Sequence, residues 1–264
     1  MEAEQPASGT LPAAALSALQ FSQEAEASQV ELDFSKAETL YAQGLAQHPS
    51  DSSLMDSYAD FLLATLSSAG SSTEERIETA RKLLMRSIEL APEKNPLKYF
   101  SLAETFQDKQ AVELYFRGIE LLEEIAAGKR TCEGEFLGES GLNGTIASAY
   151  ASIAELLMTT ELSEEPDAEE RCEECLKRGL EREPNSVDIL QNLANLRIMR
   201  MRDEEALELM RKVSSIILEK VKKSDLVLSP PSVGLPEKRK RRGSCNSDSA
   251  RSFDFKMQTV RLLI

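Results

Sequence analysis

The residues of this chain with the most obvious chemical potential are Cys172-Glu173-Glu174-Cys175, the single histidine His48, and a large set of carboxylates. Two cysteines three apart can bind a soft metal or exchange a disulfide, but structural zinc takes four ligands. The other cysteines, Cys132 and Cys245, stand far away in loop-like sequence. Cys172 also falls where a helical pattern wants a small packed side chain, so a buried, inert thiol is expected. One histidine, and Glu and Asp spread around helix faces, provide no nucleophile–base or acid–base pair. Gly141-Leu142-Asn143-Gly144 lacks the Gly-Lys-Ser/Thr ending of a phosphate-binding loop. The chain is not expected to be an enzyme or to carry a metal or cofactor, and what remains is charge.

That charge is large and unevenly placed. The 264 residues hold 45 Asp and Glu against 31 Lys and Arg, a formal net charge of -14. Residues 225–264 contain eight Lys/Arg and four Asp/Glu, so the acidity is concentrated in residues 1–224, at -18. Such a surface repels nucleic acid and anionic membrane and attracts basic protein segments. Met1 to Gln20 has no basic start and no long apolar core, so no signal peptide is expected. No run approaches the roughly 18 apolar residues of a membrane span. Cytoplasm and nucleus are the expected compartments, and there the sequon Asn143-Gly144-Thr145 carries no meaning.

The elements that must position these charges are repeated helices. Ala37, Tyr41, Gly44 and Pro49 set a pattern of small, bulky, small, Pro; Ala80, Leu84, Ser87 and Pro92 repeat it, as do Cys172, Leu176, Gly179 and Pro184. Ala111, Tyr115 and Gly118 lack the proline, as do Ala206, Met210 and Val213. This is the spacing of the second helix of a tetratricopeptide repeat, a unit of about 34 residues. Small residues allow close approach of two helices, and Pro stops the helix. The partner helix should read large, large-small, large. Met55, Tyr58, Ala59 and Leu62 fit, as do Tyr99, Leu102, Ala103 and Phe106, and Tyr150, Ile153, Ala154 and Leu157. Leu190, Leu193 and Ala194 fit too, but Arg197 occupies the last large slot. Uneven spacing places loops at Ser67 to Ser72 and around residues 127–145. The chain is expected to be all-α, a tetratricopeptide-repeat right-handed superhelix with a disordered N-terminus and linker.

In such a fold the first helices line the concave side. Their ninth position holds Asp60, Glu104, Glu155 and Asn195, nearly a continuous acidic column. The fifth position adds Asp56, with Phe100, Ala151 and Gln191; Asp108 and Asp188 lie nearby. The expected partner-binding face is therefore Asp56, Asp60, Phe100, Glu104, Asp108, Glu155, Asp188 and Gln191, with Met158 adding an apolar contact. It suits a basic, partly apolar, extended peptide.

In chain order, residues 1–31 read as a disordered acidic segment, 32–224 as the repeat array and 225–252 as a disordered linker. Residues 253–264 read as a partial helix of a further repeat, and truncation or alternative splicing is favoured over folding back. Lys238-Arg239-Lys240-Arg241-Arg242 has the form of a nuclear localisation signal, with docking into the acidic groove as the alternative. Ser244 follows Arg241-Arg242-Gly243 in the manner of a basophilic kinase site, where phosphate would partly neutralise the run.

Beyond the repeat, Lys98-Tyr99-Phe100-Ser101-Leu102-Ala103-Glu104 and the stretch from Ala111 to Glu120 resemble one specific family. So do the stretches from Ser148 to Thr159 and from Ala168 to Glu173. These resemble the dedicated assembly chaperones of large-ribosomal-subunit protein four, over about Phe34 to Lys220. The resemblance implies that the array clamps the newly made ribosomal protein, shields its long basic internal loop and accompanies it to the nucleus; the basic run separately makes a nuclear import receptor an expected further partner. The family looks longer at its C-terminus, and the linker with the basic run departs from its pattern. Two other readings stay open. One is a co-chaperone adaptor for the acidic tail of a heat-shock chaperone, though such grooves are lined by Lys, Asn and Arg. The other is a scaffold in a larger complex.

Overall fold

The computed structural model describes residues 16–67, 72–129, 139–159 and 161–227, with the side chains of 139–140 and 223–227 left aside. Among the described residues there are ten α-helices and no strand. They are α1 (Ala18–Val30), α2 (Phe34–Gln47), α3 (Ser52–Ala64), α4 (Thr73–Leu90), α5 (Leu97–Ala103), α6 (Lys109–Ala126), α7 (Glu139–Thr159), α8 (Ala168–Arg182), α9 (Val187–Met199) and α10 (Asp203–Val227), with a 3-10 turn at Glu161–Glu164. The chain divides into two units, Met1–Lys220 and Val221–Ile264. The repeats lie in the first; of the second, only the last turns of α10 are described.

Local sequence sets most helix starts. Asp33, Asp51 and Ser72 accept hydrogen bonds from the backbone N–H of Lys36 (3.1 Å), Leu54 (2.8 Å) and Glu75 (3.2 Å), which satisfies donors that a helix N-terminus leaves unpaired. Helices α2, α4 and α8 end just before Pro49, Pro92 and Pro184. Consecutive helices then pair as α1/α2, α3/α4, α5/α6 and α7/α8, and the expected repeat positions fill the interfaces. Ala37, Ala80, Ala111 and Cys172 are buried in the small slots, and Tyr41, Leu84, Tyr115 and Leu176 in the bulky ones. The second small slot matters most at Gly118, where a Cβ would lie 2.3 Å from Cε1 of Phe100. That ring is stacked on Tyr115, with centroids 5.7 Å apart. Overpacking of this kind typically costs about 1–3 kcal/mol.

Three expectations are corrected. Helix α1 lies inside the segment expected to be disordered, and it is held by Phe21 and Ala25, both buried against α2 and α3. Phe21 packs on Gly44, and Ala25 fills the buried small slot that Ala59 and Ala103 fill in later repeats, so α1 is the first helix of an additional repeat. Residues 1–15 lie outside the described residues. The loop expected around residues 127–145 is shorter, because α7 begins at Glu139; Leu142, Ile146 and Tyr150, four apart, give that turn a buried face. Helix α10 runs to Val227, past the expected array boundary at 224. The rest of the linker, the basic run, Ser244 and the partial helix at 253–264 lie outside the described residues.

Candidate peptide-binding groove

One carboxylate is delivered to the same side of the array by each successive first helix. Asp60 comes from the last turns of α3, Glu104 is the C-cap residue of α5, and Glu155 stands on α7; all three are exposed. Asp60 accepts a hydrogen bond from Ser101 Oγ at 2.9 Å, which ties α3 to α5. Partial burial raises the Asp60 pKa, and the negative charge of Asp56 adds to it. Burial likewise raises Glu104, with Asp60 adding a second push, so these two carboxylates feel each other. Tyr115 links Glu104 to Glu155: its hydroxyl is raised first by burial and then by both carboxylates.

The shape of the surface joins these charges. A cleft of about 460 Å³ runs between Glu104 and Glu155, walled by Phe106, Tyr115 and Leu156. A second cleft of about 340 Å³ holds Glu155, Asp188, Gln191 and Asn192. Ser152 and Glu155 line both, so the clefts meet at Glu155 and form one trough across α5, α7 and α9. Within electrostatic reach of Asp60, the buried Tyr41 stacks on Tyr58, 5.2 Å between centroids. Its hydroxyl, which accepts from Gln29 Nε2 at 3.0 Å, is pushed up to about 12 by burial, with Glu26 and Asp60 adding.

Of the eight residues expected on this face, Asp60, Glu104, Glu155, Asp188 and Gln191 come together. The other three have interior or local tasks. Asp56 is only 4% exposed and accepts from Asn95 Nδ2 at 2.9 Å, in a buried polar cluster with Ser87 and Lys98. Phe100 is a packing residue, wedged between Tyr115 and Gly118, and Asp108 caps α6 by accepting from the Gln110 N–H at 3.0 Å. Met158 is half-buried on the core. Sequence reasoning missed Tyr115, Ser152 and Asn192. Ser148, Ser152 and Glu155, at i, i+4 and i+7 of α7, form a polar stripe that could have found two of the lining residues.

The groove carboxylates contrast with a set of paired carboxylates elsewhere on the surface. Among the described residues, Asp60, Glu104, Glu155 and Asp188 have no cationic partner, whereas several carboxylates on or beside the second helices are paired. Glu123 meets Arg182 at 2.6 Å, Glu165 meets Lys109 at 2.5 Å and Arg171 at 2.9 Å, and Glu174 meets Arg178 at 2.8 Å. The pair expected to be inert thiols is buried: burial pushes Cys172 up to about 12 and Cys175 to about 11, so both stay protonated near neutrality. His48 packs on Phe21 and donates from Nε2 to the Leu16 carbonyl at 2.8 Å. Among the described residues no group of three or more metal-ligating side chains converges, and no helix is long and apolar enough to cross a membrane.

Comparison with known proteins returns the same kind of molecule. No family model matches the sequence. A Schizosaccharomyces pombe protein described as a probable assembly chaperone of rpl4 is 35% identical over 133 residues, covering 50% of this chain and 37% of its own length. This chain therefore spans little more than a third of that relative. Among solved structures, residues 1–338 of an assembly chaperone of RpL4 (Acl4) superpose with a TM-score of 0.64 at 18% identity, over 84% of this chain and 80% of that one. BtubC from P. vanneervenii follows with a TM-score of 0.56 at 17% identity (86% and 87% covered), and MamA with 0.53 at 13% (75% and 96%). At such identities the structures speak for the fold. The chain has a tetratricopeptide-type helical-repeat fold, and it resembles the assembly chaperones of ribosomal protein four in sequence.

Proposed function

We propose that this chain is a dedicated, non-enzymatic chaperone that holds a newly made basic protein of the large ribosomal subunit, protein four, by a basic segment laid in the acidic groove. The observation that carries this reading is the run of exposed carboxylates left without cations, Glu104, Glu155 and Asp188 in a trough with one apolar wall and Asp60 beside Glu104. Unmatched negative charge along a groove favours a basic ligand and steers it in. The likeness to a probable assembly chaperone of rpl4 supplies the client. A groove for the acidic tail of a heat-shock chaperone needs the opposite sign.

The test is co-expression with large-subunit protein four, with and without its basic internal loop, followed by co-purification in moderate salt. Recovery of a soluble one-to-one complex only when the loop is present is the expected result. Absence of a complex, or recovery indifferent to the loop, overturns the proposal. We further assign Lys238 to Arg242 to nuclear import of the chaperone with its client, through an import receptor. Replacing the run with Ala shifts the protein towards the cytoplasm; an unchanged distribution removes that assignment.

A further inference from the structure

We propose that a second docking site lies outside the groove, in a cleft between α6 and α8, and that it takes one apolar side chain flanked by a Lys or Arg from a basic protein segment. It is independent of what the groove holds. Helices α6 and α8 both pack on α7, and the cleft opens between them. Consecutive residues of a helix point about 100° apart, so α6 and α7 serve two clefts at once. Tyr115 and Leu156 face the groove, while their neighbours Phe116 and Leu157 line this separate cleft of about 390 Å³. Phe116 is 38% exposed and forms the open wall; Leu157 and Cys175, both buried, close the floor. A single exposed aromatic is ordinary on a protein surface. This one borders a recess with room for another side chain, and the recess has a charged rim.

The rim decides what enters. Its two arginines are already engaged: Arg171 meets Glu165 at 2.9 Å and Arg178 meets Glu174 at 2.8 Å. Asp167 and Glu170, both exposed, have no cationic partner among the described residues. Asp167 precedes the first turn of α8 without capping it by a side-chain hydrogen bond. The positive end of the α8 dipole accounts for acidic residues at that point, and Glu169 in the same turn is engaged by Arg200 at 3.0 Å. Asp167 and Glu170 stay open to a cation from outside. A second copy of this chain, at a net charge of -14, and an anionic membrane are both repelled by such a rim. A basic segment is attracted, and its apolar side chain leaves water against Phe116, Leu157 and Cys175. The Cys175 thiol, pushed up to about 11 by burial, stays protonated and brings no charge to that floor.

Capped dipeptides test this on the full chain, by amide chemical-shift titration. Acetyl-Phe-Arg-amide is expected to shift the signals of α6 around Phe116 and of α8 from Asp167 to Arg178. It should bind about tenfold tighter than acetyl-Gly-Arg-amide, the order of effect of burying one aromatic ring. Its expected advantage over acetyl-Phe-Glu-amide is about fivefold, the order of an exposed ion pair. Phe116→Ala, at an exposed position, is expected to abolish the α6 and α8 shifts. Asp167→Asn with Glu170→Gln should keep the Phe anchor and erase the preference for Arg over Glu. Affinities equal within about twofold for the three dipeptides overturn the proposal, as does binding that Phe116→Ala leaves unchanged. Shifts confined to the groove around Glu104 and Glu155 overturn it while the groove reading stands. Absence of any shift removes the second site alone, because the groove is tested separately with the whole client.

Discussion

Two acidic regions of this protein are built in opposite ways. In the groove, Asp60 and Glu104 have raised pKa values, because burial and a neighbouring carboxylate both oppose their charge. At the junction of α8, α9 and α10, Glu173 is held down to about 2, chiefly by the hydrogen bond from Arg197 and then by those from Arg200 and Lys177. Arg197 Nη2 lies 2.9 Å from Glu173 and its Nε 2.9 Å from Glu205, while Arg200 bonds Glu173 and meets Glu169 at 3.0 Å. The first region leaves charge uncompensated at some cost to the fold. The second uses Glu169, Glu173 and Glu205 to hold helices together. Net acidity therefore does not separate the two regions; the placement of arginines does.

The comparison breaks if reversing the groove charges changes nothing. Exchanging Asp60, Glu104 and Glu155 for Lys together is expected to abolish co-purification of the basic client while far-UV circular dichroism stays unchanged. Retained client would remove the groove from function. Next in size, Glu173→Gln should lower stability by roughly 1–2 kcal/mol, between the values of exposed and buried pairs, with client affinity unaltered. Denaturant unfolding at neutral pH measures it.

The pH dependence sharpens the contrast, because the two signs differ. Glu173 is depressed in the fold, so its contribution is present above its ordinary value of 4.5 and is lost as pH falls from there towards about 2. Asp60 and Glu104 are raised, so the stability they contribute is present below their ordinary values of 3.8 and 4.5 and is lost as pH rises through the raised ones. Client binding needs their charge and should weaken on acidification before unpaired carboxylates elsewhere titrate; a titration by anisotropy against pH follows it. The smallest effect expected is a slight rise in Tm at neutral pH for Asp60→Asn, together with weaker client binding. A fall in Tm would mean that the groove charge does not oppose folding.

Much of the fold was legible because its signals are local. Small and bulky residues at fixed steps, followed by Pro, located the second helices, and the ninth position of the first helices located Asp60, Glu104 and Glu155. Helix α1 was not legible for two reasons. Its large-small pattern is degraded, with Glu24 and Ser28 where apolar residues are usual. Its turn into α2 also lacks the expected glycine: Leu32 takes the left-handed conformation at φ 62°, and Asp33 N–H closes the turn on Ser28 at 2.9 Å. Met201, at φ 56°, does the same between α9 and α10. Arg197 looked like a fault in an apolar pattern, but its ion pairs with Glu173 and Glu205 replace the missing contact. Asp56 and Asp108 have the right residue type at nearly the right position. Only the three-dimensional neighbourhood of Asn95 and Lys98, and the first turn of α6, assign them to the scaffold.

Lys98 has a mechanical consequence. It is 1% exposed, and its Nζ donates to the carbonyls of Ser87 (3.1 Å) and Ala91 (2.5 Å) and to Ser87 Oγ, at the C-terminus of α4. Asn95, in the same connection, reaches back to Asp56 on α3. A stack of helix pairs is a spring whose coils ordinarily slide by repacking apolar side chains. Here one joint is riveted by directional bonds that cannot slip without stranding a buried ammonium. Helices α3, α4 and α5 are thereby tied into a single block, which holds Asp60 and Glu104 at one separation.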